Sequence, residues 1–144
     1  MTKTLDDLRT IYRDAKTIAV VGASAKPGRA AHEIPGYMHS QGYRIIPVGP
    51  RAGELFGEPV RASLSEVDVP IDIVDVFRPP SEAETVAREA IAAGAKVLWF
   101  QPGTETDEAI RIASEAGLEV ISGRCIGRTH GALGLGPGPR HSES

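Results

Sequence analysis

Residues 17–32 read TIAVVGASAKPGRAAH, and the fold turns on how that stretch is parsed. Thr17 to Val21 is an unbroken run of β-branched and small apolar residues, the pattern of a parallel strand buried on both faces. Gly22 then lets the backbone leave the strand tightly. Ala23 and Ser24 are small enough for a phosphate to approach the main chain, and Ser24 brings a hydroxyl. Lys26 and Arg29 add positive charge, and the N–H groups of a helix starting near Ala30 favour an anion by roughly 0.3–1 kcal/mol. The dinucleotide fingerprint G-x-G-x-x-G is nonetheless absent, because Ser24 stands where its second glycine belongs and the next glycine is Gly28.

Working outward, strand and helix patterns alternate. Leu5, Leu8, Ile11 and Tyr12 recur at helical spacing behind Thr4, which reads as a cap with Asp6 and Asp7 in the first turn. A helix is predicted over 30–41 with Gly42 as its stop, although Pro35 and Gly36 inside it predict an irregular first turn or a late start. Strands follow at 44–48, 71–77, 96–100 and 118–121. Helices are expected at 81–93, capped by Ser81 with Glu84, and at 105–116. A Gly/Pro-rich loop spans 49–61, and 63–67 suggests a single helical turn. This alternation predicts an α/β fold, a Rossmann-like doubly wound parallel sheet of about five strands in the order 3-2-1-4-5, with helices on both faces. Residues 1–128 form the expected domain, and 129–144, rich in glycine and proline without apolar periodicity, read as a disordered tail.

Composition narrows the function. The chain has 144 residues, 41% hydrophobic and 24% charged, with net charge -3, which offers no general attraction for nucleic acid or anionic membrane. Any anion site must be a local cluster of basic groups. One cysteine excludes an internal disulfide and fits a reducing compartment. With no signal-like segment and no apolar run near ~20 residues, a cytoplasmic location is expected.

In a doubly wound sheet, ligands lie beyond the carboxyl ends of the strands. The second strand ends PVGPR: Pro50 and Arg51 stand where a NAD site carries a ribose-binding carboxylate, and the arginine suits a ribose with an extra phosphate, as in NADP or coenzyme A. The third ends DVFRPP, placing Phe77, Arg78 and Pro79 at the same edge. The fourth ends WFQPG, adding Gln101, Pro102 and Gly103, with Trp99 read as core.

VVGASAKPGRAAH, GYRIIPVGPR, IDIVDVFRPP, GAKVLWFQPG and AGLEVISGRC, in that order, resemble the blocks of the small single-domain CoA-binding proteins, relatives of the N-terminal domain of the succinyl-CoA synthetase alpha subunit. The resemblance covers about residues 5–128. It implies that coenzyme A or an acyl-CoA is held across the strand ends. The family's phosphate loop falls on Gly22, Ala23, Ser24 and Ala25, with Pro27 and Arg29 behind it. Its other positions fall on Arg51, on Val76 to Pro79, and on Gln101 to Gly103. Two departures stand out: Gly49 replaces an Asn after the second strand, and Gly123 replaces an Asp before Arg124 and Cys125.

No catalytic set emerges. His32 and His39 are two helical turns apart without a third ligand, so they read as helix-surface residues rather than a metal site. Cys125 and His130 match no thioesterase or protease motif. Asp72 and Asp75 point to opposite faces of a strand, and Asp75 reads as an edge residue that holds loops. The expected function is therefore a CoA-binding module without evident catalysis. The alternatives are an NADP-dependent oxidoreductase subunit and a nucleotide-fold interaction protein that has lost its ligand. The expected partner is the small molecule CoA, with no nucleic acid and no membrane; a protein partner or a homo-oligomer stays open.

Overall fold

The computed structural model describes residues 3–137. Helix α1 (Leu5–Asp14) leads into β1 (Thr17–Val21), α2 (Ala30–Ser40) and β2 (Arg44–Val48). A small hairpin, β3 (Glu54–Leu55) and β4 (Glu58–Pro59), follows. Then come β5 (Ile73–Val76), α3 (Ala83–Ala92), β6 (Val97–Phe100), α4 (Asp107–Glu115), β7 (Glu119–Ile121) and α5 (Ile126–Ala132). The strands other than the hairpin form one parallel sheet in the order β2-β1-β5-β6-β7. This is the expected Rossmann-like, doubly wound α/β arrangement.

The order of strands needs one correction. Counting the five sheet strands along the chain gives 2-1-3-4-5, not 3-2-1-4-5. The strand Ile73–Val76 does not lie outside β2; it pairs with β1, Ile18 opposite Ile73 and Val21 opposite Val76. The place outside β2 is taken by Arg61 alone, which forms a single parallel bridge to Val48. Arg61 N–H donates to Pro47 O at 3.0 Å, and Gly49 N–H donates to Arg61 O at 2.9 Å. Pro59 just before that bridge lacks the donor a longer strand needs, so the outermost strand shrinks to one residue. Asp72 holds β5 beside β1: its carboxylate accepts the N–H groups of Lys16 and Thr17 at 2.8 and 3.0 Å.

Every residue of β1 is buried, and its side chains alternate between two cores. Ile18 and Val20 join Leu8 and Tyr12 of α1, Met38 of α2 and Ile126 of α5. Ala19 and Val21 join Val86 and Ala87 of α3 and Ala109 and Ala113 of α4. Removing one such large apolar side chain from water contributes roughly 1.5–3 kcal/mol, so β1 is the spine on which both layers rest.

Local expectations fared unevenly. Thr4 caps α1 in a reciprocal pair with Asp7. Ser81 caps nothing: Pro80–Glu82 forms a 3₁₀ turn, and α3 begins at Ala83 with Glu82 at its cap. Pro80 pre-sets that turn one residue ahead of the serine. The loop over 49–61 contains the β3–β4 hairpin, which turns through Phe56 at φ 56° and Gly57 at φ 77°. The boundary expected at residue 128 falls inside α5, where Ile126, Thr129 and His130 are buried. Their spacing is helical, but glycines between and after them obscured it. Residues 138–144 of the expected tail lie outside the described residues. Among the described residues, no helix is long and apolar enough to cross a membrane.

Candidate functional site

The chain passes from one face of the sheet to the other between β1 and β5, so a cleft opens at the carboxyl ends of these two strands. Gly22 sits at its floor with φ 93°. A Cβ there would lie 2.8 Å from Arg78 Cδ and 2.9 Å from Phe77 O, so the two strand ends approach too closely for any side chain. Gly22 N–H donates to Val48 O at 2.9 Å and Phe77 N–H to Val21 O at 2.9 Å, which ties the ends of β2, β1 and β5 into one platform.

The loop 23–29 rises from that floor. Ser24 N–H donates to Ala31 O at 3.0 Å, and His32 Nδ1 lies 2.7 Å from Ser24 O. Ser24 Oγ accepts Lys26 N–H at 3.1 Å, and Glu33 accepts Gly28 N–H at 3.2 Å. α2 therefore starts continuously at Ala30 in spite of Pro35. Among the described residues, the N–H groups of Ala25, Ala30 and Ala31 make no hydrogen bond within the protein. They are donors left for an anion at a helix start.

The sequence-predicted residues fall on one edge but differ in what they can offer. Gly22, Ala23, Ser24, Ala25 and Arg29 line the first loop, and Pro50 and Arg51 stand exposed on the neighbouring one. Phe77 is half-buried beside Gly22, and Pro79 is exposed. Arg78 is already engaged: its guanidinium forms a two-point pair with Glu82, at 3.0 and 2.7 Å, which lowers the Glu82 pKa below the usual range. Gln101 is 4% exposed, and its Oε1 accepts Ile126 N–H at 3.0 Å, so it braces α5 from the end of β6. Pro102 and Gly103 remain exposed at the rim.

Two arginines that sequence reasoning passed over complete the picture. Among the described residues, the lysines and arginines without an ion pair are Lys16, Lys26, Arg29, Arg51, Arg88, Arg124 and Arg128. All but Lys16 and Arg88 lie on segments leaving the carboxyl ends of strands. Arg124 stood inside a recognised block, and only its missing partner, a tertiary fact, marks it out.

Beneath the edge, on the α1 side, lies a buried polar layer. Asp75 is 1% exposed with Oδ1 unpartnered, and burial raises its pKa well above the usual carboxylate range. It is a core residue, not the loop-holding edge residue expected, because β5 is covered on both faces. Tyr12 Oη donates to Ile126 O at 2.6 Å, and Tyr37 Oη lies 2.8 Å from His130 Nδ1. Burial lowers the His130 pKa and raises that of Tyr12. Cys125, half-buried, caps α5 with no side-chain hydrogen bond to the cap. His32 and His39 do share a face: the Phe56 ring lies 5.6 and 5.9 Å from theirs.

The family model described as CoA binding domain matches residues 16–131. This chain belongs to the CoA-binding domain family. The CoA-binding domain here is 40% identical over 124 residues to the protein YneT of Bacillus subtilis, covering 86% of this chain and 92% of that one. The solved structure of cell-free ID.343 from Thermus thermophilus is 41% identical, with TM-score 0.88, over 91% of this chain and 99% of that one. The dinucleotide-forming acetyl-coenzyme A synthetase 1 of Ca. Korarchaeum cryptofilum is 26% identical, with TM-score 0.67, over 79% of this chain but 27% of its own. The CoA-binding domain family membership supports binding of CoA at the level of the domain.

Proposed function

We propose that this chain is a cytoplasmic CoA-binding module that holds coenzyme A or an acyl-CoA across the carboxyl ends of β1, β2, β5 and β6 and performs no chemistry alone. One observation carries the reading. In a chain of net charge -3, five of the seven described cations that lack an ion pair lie on segments leaving the carboxyl ends of strands, and Lys26 and Arg29 stand beside helix-start N–H groups with no internal acceptor. Such a site suits a ligand with several phosphate charges. In this assignment the free N–H groups of the 23–31 loop, with Lys26 and Arg29, receive the pyrophosphate. Arg51, on the next loop, receives the 3'-phosphate. Phe77, Pro79, Pro102 and Gly103 border the pantetheine arm. Arg78, paired through Nε and Nη2 with Glu82, and Gln101, whose Oε1 accepts Ile126 N–H, shape the cleft.

The test is calorimetry and thermal shift on ligand-stripped protein with CoA, acetyl-CoA, dephospho-CoA, NADP and NAD. A ligand at about 100 times its Kd stabilises by roughly 2.7 kcal/mol, a rise of several degrees in Tm. A rise with CoA and none with NADP is expected. The reverse pattern moves the assignment to an NADP-dependent oxidoreductase subunit, and no rise with any ligand moves it to an interaction protein. Arg51→Ala is expected to weaken CoA about tenfold, about 1.4 kcal/mol, and to leave dephospho-CoA unchanged. Equal loss for both ligands removes the 3'-phosphate role from Arg51.

A further inference from the structure

The loop 23–29 is held by the helix that follows it, and that helix carries a proline in its interior. Pro35 sits in the middle of α2, where it has no N–H for the carbonyl of Ala31, four residues back. Its ring also pushes that carbonyl out of the regular helical line. The freed Ala31 carbonyl accepts the Ser24 N–H at 3.0 Å. The next residue, His32, binds the other side of the same serine: its Nδ1 lies 2.7 Å from Ser24 O. A carbonyl only accepts, so His32 Nδ1 carries the proton. The His32 ring packs 5.6 Å from that of Phe56 on the hairpin, which opposes its swinging away from the loop.

The consequence follows from peptide geometry. In a planar trans peptide, C=O and N–H point in opposite directions. With Ser24 O directed at His32, the N–H of Ala25 is directed away from it, and that N–H has no acceptor among the described residues. We infer that Pro35 and His32 are positioning residues for an anionic ligand: they lock the Ser24–Ala25 peptide so that its N–H is presented to a phosphate. The inference rests on the CoA reading for the identity of that phosphate. It differs from it in the residues it names, which act through the loop and are assigned no ligand contact.

The experiment uses the full chain with Pro35→Ala, His32→Phe and His32→Gln. CoA and dephospho-CoA are titrated by calorimetry, ligand-free unfolding is recorded, and amide hydrogen exchange is followed at Ser24. Pro35→Ala restores the helical N–H and draws the Ala31 carbonyl back to it. It is expected to weaken both ligands about tenfold and to speed exchange at Ser24, without lowering the ligand-free Tm. His32→Phe keeps the ring against Phe56 but loses the donor, and is expected to weaken both ligands similarly. His32→Gln returns a donor and is expected to recover most of the loss. Wild-type affinity in Pro35→Ala and His32→Phe overturns the inference. So does equal loss in His32→Phe and His32→Gln, which reduces the histidine to packing. If the wild-type chain binds neither ligand, the CoA reading fails separately. The lock is then judged at Ser24 alone, where unchanged exchange in Pro35→Ala overturns it.

Discussion

At position 22 a single methyl group is too much. Left-handed backbone costs an L-residue about 1–2 kcal/mol, and here a Cβ would also meet Phe77 O at 2.9 Å. Gly22→Ala is expected to destabilise by about 2 kcal/mol or more, read as a fall of several degrees in Tm. Asp75 sets a different residue-scale expectation. Its folded pKa is raised by burial, so the unfolded chain releases this proton first. Its full contribution to stability exists below its unfolded pKa near 4 and declines as pH rises from there toward the raised folded value, by about 1.4 kcal/mol per pH unit. His130 works in the opposite sense. Its folded pKa is depressed, so the stability it contributes above its ordinary value is lost as pH falls through the folded one. Denaturant melts of Asp75→Asn at pH 4 and pH 7 separate the two: the variant is expected to gain stability on wild type at pH 7 and little at pH 4. Asp75 was visible in the sequence as a carboxylate on a strand. Its burial was not, because it depends on α1 covering the sheet.

At the scale of elements, two braces hold the edge in place. Glu58 receives Arg44 at 2.7 Å and Arg61 at 3.0 Å, which binds the β3–β4 hairpin to β2. The hydrogen bond from Arg44 is the main reason the Glu58 pKa is lowered. On the far side, a β6 side chain and the residue just after β6 reach the turn into α5: Trp99 Nε1 donates to Arg124 O at 2.8 Å and Gln101 Oε1 accepts Ile126 N–H at 3.0 Å. Removing the Gln101 acceptor leaves a buried N–H without a partner, at a cost of about 1–3 kcal/mol. Gln101→Leu is therefore expected to lower stability by that amount and to speed amide exchange at Ile126, whereas Gln101→Glu, which keeps an acceptor, is expected to lose less. The sequence placed Gln101 correctly at a strand end. Its partner is 25 residues away and no local pattern encodes it.

At the scale of the whole molecule, charge is sorted rather than abundant. The chain is net negative, yet five of the seven described cations without an ion pair lie on segments leaving the carboxyl ends of strands. Binding that uses them is electrostatic and partly exposed, so it weakens as salt shortens the Debye length from about 10 Å at 0.1 M toward about 3 Å at 1 M. The CoA Kd is expected to rise several-fold between about 0.05 and 0.5 M salt. A Kd indifferent to salt contradicts a role for Lys26, Arg29 and Arg51.

Local patterns in the chain establish that the sheet is parallel and which strand ends carry small, basic or amide residues. Buried apolar runs, helical periodicity and glycine stops are local signals, readable within a dozen residues. Which strand neighbours β1 is a tertiary outcome, since the hydrogen bonds accepted by the Asp72 carboxylate and the one-residue bridge at Arg61 join segments far apart in the chain. Tertiary contact also decides which arginines are free: Arg44 finds its carboxylate in Glu58, 14 residues away, while Arg51 forms no ion pair among the described residues. The proline in α2 shows the division plainly: its residue type predicts a broken hydrogen bond, and the fold supplies Ser24 to take the carbonyl it releases.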